Sequence, residues 1–70
     1  MSEWAAAKAS RVLSALLRLG WRVKRQKGSH RTLERSGWPS FLFAFHDSAE
    51  IGPRMLNRIA RKTALRPEDL

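Results

Sequence analysis

Two histidines are the only side chains of this 70-residue sequence that change charge close to neutral pH, and one of them stands in a dense run of cations. His30 follows Lys27-Gly28-Ser29, and Arg22, Lys24 and Arg25 lie just before that turn; His46 ends the run Phe41-Leu42-Phe43-Ala44-Phe45. A positioned imidazole that takes or returns a proton contributes on the order of 10²–10⁴-fold to a reaction. Ammonium groups stabilise the negative charge that develops on a phosphate. Glycine permits close backbone approach, and a serine hydroxyl can donate to a phosphate oxygen. RNA carries its own nucleophile, the 2′-hydroxyl, so a protein that cuts it needs only to move protons and neutralise charge, and no metal is demanded. On this reading His30 is the candidate catalytic residue. Lys24, Lys27, Gly28, Ser29, Arg22 and His46 are the candidate RNA contacts. For His46, a plain role in ending the third strand stands beside a second proton-transfer or RNA-contacting role.

The composition favours such a substrate. Fourteen Lys and Arg against six Asp and Glu give a formal charge of +8, a field that attracts phosphate. An acidic protein partner or an anionic membrane surface is the other class of target for that charge. Acidic residues at the i,i+4 spacing that would neutralise the basic helix faces are nearly absent. No cysteine is present, which removes disulfides and thiolate metal sites, and two histidines are too few for a structural zinc site. Neither a metal nor a small-molecule cofactor is expected. Seventy residues form one core, so residues 1–70 are read as a single domain whose small core invites support from a bound partner. The opening Met1-Ser2-Glu3-Trp4 lacks a basic leader with a long apolar run, and no stretch is long enough to span a bilayer; the expectation is a soluble cytoplasmic protein with no membrane partner.

The elements that must hold these residues follow from hydrophobic spacing. Ala5, Ala9, Val12, Leu13 and Leu16 share one stripe, which predicts a helix from Ser2 to Leu19 with Ser2 as N-cap, Glu3 in the first turn and Gly20 as its left-handed stop. Residues 21–26 alternate as a half-buried strand, Lys27-Gly28-Ser29 is a tight turn, and 30–35 is a second strand whose core residue is Leu33. Gly37 and Pro39 break the chain over 36–40, and 41–46 is a third strand with phenylalanines at period two. A loop over 47–52 leads to Pro53 in the first turn of a second helix, with Met55, Leu56, Ile59, Ala60 and Thr63 on its inner face. Pro67 opens one further turn or a frayed end.

The fold class is therefore α+β: α-β-β-β-α, a three-stranded antiparallel sheet with both helices on one face. Trp21, Val23, Leu33, Phe41, Phe43 and Phe45 set the buried parity. Strict alternation then sends Arg22, Lys24, Gln26, His30, Thr32, Glu34, Leu42, Ala44 and His46 to the open face, unless a bulge intervenes. Trp21 reads as core packing or cover, and Trp4 and Trp38 as side chains that stack on bases or contact a partner.

Gly20-Trp21, Arg25-Gln26-Lys27-Gly28-Ser29-His30, His46, Glu50-Ile51 and Leu56-Asn57-Arg58-Ile59 together resemble the HicA family of bacterial toxins over nearly the whole chain. Two positions depart from the family pattern: Ala44 stands where proline is common, and Trp38-Pro39 replaces a polar turn. The resemblance implies a double-stranded-RNA-binding-like fold, ribonuclease activity on messenger RNA that depends on His30, and neutralisation by a HicB-like antitoxin. The alternative from the residues alone is a non-catalytic RNA-binding module, which the same order of helix, sheet and helix also serves. A third reading is a structural or ribosome-associated basic peptide.

Overall fold

Two tight turns, each with a glycine at positive φ, shape the sheet. The computed structural model describes residues 3–70. Gly28, at φ +60°, is the first central residue of the turn joining β2 (Arg22–Lys27) to β3 (His30–Arg35), while Ser29 keeps a negative φ; this fits a type II′ hairpin. Gly37, at φ +83°, does the equivalent work between β3 and β4 (Trp38–Ala44). The three strands pair antiparallel in the order β2-β3-β4, with β3 in the middle.

One face of this sheet is covered. Ala9, Val12, Ala15 and Leu16 of α1 (Ala9–Arg18) and Leu56 and Ile59 of α2 (Pro53–Thr63) form a single core with Trp21, Leu33 and Phe43. Both helices thus lie on one side, and the α-β-β-β-α order expected from hydrophobic spacing is the order of the fold. Phe43 is fully buried, whereas Phe41 and Phe45 are half-buried at the margin of the core. The Trp21 indole N–H donates to the Thr63 carbonyl at 3.2 Å, joining the entry to β2 to the end of α2. Gly20 stops α1 at φ +105°, and Pro67 opens a 3₁₀ turn, Pro67–Asp69, that the Arg18 guanidinium holds by donating to the Asp69 carbonyl at 3.0 Å. No helix of the described residues is long and apolar enough to cross a membrane.

Several boundaries differ from the sequence expectation. The first helix begins at Ala9 rather than Ser2, and the Ser2 cap lies outside the described residues. Ala5 is exposed, and Ala7–Lys8 forms a short strand, β1, paired antiparallel with β5 (Glu50–Ile51) inside the segment read as a loop. Alanine-rich residues 5–7 have high helix propensity, but burial of Ala7 beside Ile51 overrides it. The Ala9 and Ser10 amides donate to the carbonyls of Ala49 (2.7 Å) and Asp47 (3.1 Å), so the loop before β5 satisfies α1 where no side chain caps it. At the other side of the sheet β4 starts early, at Trp38, and stops at Ala44, leaving Phe45 and His46 beyond its end. Pro39 is tolerated because β4 is an edge strand and is irregular there. Met55, expected on the inner face of α2, is exposed.

The end of α2 carries a residue in an unfavourable conformation. Ala64 closes the helix at φ +66°, the left-handed region that glycine occupies without steric cost, while its N–H donates to the Ala60 carbonyl at 2.9 Å. Ala64→Gly keeps that bond and removes the steric conflict. It should raise stability by about 0.5–1 kcal/mol, read as a higher urea midpoint at unchanged slope.

Candidate functional site

The β2–β3 register decides which cations accompany His30. Val23 pairs with Leu33, but the next paired residue of β2 is Arg25, opposite Thr32, so Lys24 is an extra residue in the strand. Two residues of a bulged strand oppose one on its partner, and beyond the bulge every side chain changes face. Arg25 and Lys27 therefore share a face with their partners Thr32 and His30, while Gln26 shares the opposite face with Arg31. Strict alternation had assigned Arg25 inward and Gln26 outward; the bulge reverses both. Val23, before the bulge, keeps its inner-face position but lies on the edge strand and is 41% exposed.

On its other side β3 meets β4, where Ala44 stands opposite His30 and Leu42 opposite Thr32. The open face is thus graded across its width. Lys24, Arg25 and Lys27 line the β2 side, His30 and Thr32 the centre, and Leu42 and Ala44 the β4 side, with Leu42 55% exposed. His30 is exposed at the start of the central strand, Ser29 is half-buried and Gly28 exposed in the turn beside it. Arg22 is different from the other cations. Its guanidinium meets the Glu34 carboxylate at 3.1 Å, an exposed pair that adds little stability but partly neutralises that end of the face.

His46 is exposed two residues past Ala44, so the ladder places Ala44 and not His46 opposite His30. The two histidine segments are joined from the inner side. Arg31, next to His30, bonds Asp47, next to His46, at 3.1 Å, and the Arg31 side chain is only 14% exposed. The Asp47 carbonyl accepts the Ser10 N–H and the His46 carbonyl accepts the Ala49 N–H at 2.9 Å, so the His46–Ala49 turn is held by both β3 and α1. One guanidinium nitrogen of Arg31 is buried without a partner, a cost of the kind that makes removal of its remaining carboxylate expensive.

Sequence reasoning missed Arg25, Arg31 and Asp47. Nothing in the composition of β2 announces a bulge. Arg31 did carry a signal: a cation at an inward parity needs a carboxylate, and Asp47 follows the last strand directly. Trp21 is core, as expected; Trp38 leans on it edge-on, with ring centroids 6.0 Å apart and the Arg35 guanidinium 5.3 Å from the Trp38 ring. Trp4 packs half-buried against the core.

A bare sheet face that gathers cations around an exposed imidazole, backed by two helices, defines a small α+β protein suited to an anionic partner. Residues 9–65 match the family model described as the HicA toxin of bacterial toxin-antitoxin, and the chain belongs to that family. It is accordingly a toxin of a toxin–antitoxin system, in which an antitoxin is its partner. No curated protein and no solved structure matches the chain.

The bulge makes a specific demand on polyanion binding. Arg25→Ala and Arg18→Ala each remove one positive charge, the first from the open face and the second from the far end of α1. Arg25→Ala should lower the salt concentration that elutes the protein from immobilised heparin by clearly more than Arg18→Ala. Equal shifts would mean that net charge alone sets the attraction.

Proposed function

We propose that this toxin is a metal-independent endoribonuclease that cuts messenger RNA in the cytoplasm, inhibits translation and growth, and is neutralised by a HicB-like antitoxin. The observation that supports the reading is the exposed His30 at the hairpin end of the central strand, on the open sheet face, with Lys27 directly across the ladder and Lys24 and Arg25 farther along it. In the reaction the 2′-oxygen of a ribose bonds to the adjacent phosphorus as the bond from phosphorus to the 5′-oxygen breaks. The proton of the 2′-hydroxyl leaves to a base, and the 5′-oxygen gains a proton from an acid. His30 serves one of these two transfers, as general base or general acid. His46 or water serves the other.

Lys24 and Lys27, joined by Arg25, stabilise the charge that builds on the phosphate and hold it over the central strand. Gly28 lets the backbone come close, the Ser29 hydroxyl donates to a phosphate oxygen, and Arg22 adds attraction at the far end of the face. The Arg31–Asp47 bond keeps the two histidine segments in a fixed relation and contacts no substrate itself. The chemistry needs no cofactor, because the substrate brings its own nucleophile.

His30→Ala tests this reading directly. In excess chelator the wild-type protein should cut a labelled single-stranded RNA, and the variant should cut it at least about 100-fold more slowly while binding it within a few-fold of wild type. RNA that is shifted but never cut by the wild-type protein would assign the domain to non-catalytic RNA binding.

A further inference from the structure

The margin of the fold between β4 and α2 has no role in the ribonuclease reading, yet it has the features of a binding groove. β4 is an edge strand, so the backbone groups on its outer side have no strand to pair with. Two clefts of about 240 and 410 Å³ run along that edge and meet at Phe41 and Lys62. Their floor is apolar, with Leu42 and Met55 among the few large apolar side chains the fold leaves exposed. Their rim is cationic, through Arg58, Arg61 and Lys62. α2 contains no acidic residue, and among the described residues none of its cations forms an ion pair.

We propose that this groove is the docking site for an extended, acidic and apolar segment of the antitoxin, which adds as a fourth strand to the free edge of β4. An added strand satisfies the outer backbone groups, places apolar side chains over Leu42 on its open-face side and over Met55 on its helix side, and brings carboxylates to Arg58 and Lys62. Charge complementarity and the free sheet edge favour a polypeptide over RNA, since RNA has no backbone donors and acceptors at strand spacing. Strands lie about 4.8 Å apart, so the open-face side chains of the new strand stand about 10 Å from His30, whose partner on β4 is Ala44. That is near enough to exclude a nucleotide from the histidine without a direct contact to it. The inference depends on the protein being a toxin with an antitoxin and not on the ribonuclease reading.

The test uses the full-length antitoxin co-expressed with the toxin, then separated from it and titrated back. Arg58→Glu with Lys62→Glu should weaken antitoxin affinity at least tenfold and leave RNA cutting by the free toxin at the wild-type rate. In the wild-type pair, amide hydrogen exchange along Ser40–Ala44 should slow on antitoxin binding, a readout that needs no variant. Unchanged affinity in the double variant, or unprotected β4 amides in the complex, would overturn the proposal. So would a variant that keeps the antitoxin but loses a fluorescent single-stranded RNA, because the groove would then be a nucleic-acid site. If the wild-type toxin fails to cut RNA at all, the ribonuclease reading falls and both antitoxin measurements keep their meaning.

Discussion

One extra residue in an edge strand governs the composition of the candidate site. Without Lys24 in excess, β2 would present Arg22, Lys24 and Gln26 to the open face and turn Arg25 and Lys27 toward the helices. Every residue of this edge strand is exposed, so the bulge does not relieve burial; it decides which cations stand beside the imidazole. Trp21, just before the strand, stays in the core, and the strand ends with Lys27 on the face of His30. Bulges commonly sit at sheet edges and beside active sites, where they re-aim a side chain, and this one re-aims Arg25, Gln26 and Lys27.

The second constraint lies under the sheet. α1 has no side-chain cap, and its first amides are satisfied by carbonyls of the loop that follows β4. That loop is fixed in turn by the Arg31–Asp47 bond and by the short β1–β5 pairing. His46 therefore belongs to a segment tied to three elements, although it lies outside any regular strand. Because Arg31 and His30 are neighbours on β3, their side chains leave opposite faces. A bond on the covered side thereby ties the segment that carries His46 to the strand that carries His30.

The sequence was most legible where a pattern ran long without interruption. The inner stripe of α2 from Leu56 to Thr63, the glycine turns at 28 and 37, the central strand 30–35 and the exposure of His30 could all be read from spacing and turn chemistry. Failures came where tertiary contacts overrode local preference. The stretch from Ala5 to Lys8 looks helical, yet Ala7 is buried in a two-residue ladder with a partner more than forty positions away. Trp38 reads as part of the break over 36–40, but it begins β4, where an irregularity between Leu33 and Arg35 pairs it with Arg35, and its ring leans on Trp21. Alternation therefore placed His30 on the open face, where the structure has it, and missed Arg25, since parity is reliable only up to the first bulge.

The distribution of the unpaired charge offers the two proposed partners, RNA and an acidic antitoxin segment, different kinds of surface. Only Arg22, Arg31 and Arg66 meet carboxylates among the described residues, so the remaining cations act outward, over the sheet face and along α2. On the proposed reading, RNA attraction to the sheet face would be counterion release, which falls steeply as salt rises. The β4–α2 margin combines its cations with apolar surface and a free strand edge, and burial of such surface is little weakened by screening. An antitoxin segment held there, as proposed, would keep its grip at ionic strengths where RNA is released. Neutralisation of the toxin would then rest on shape and burial next to the histidine, rather than on competition with nucleic acid for the same charges.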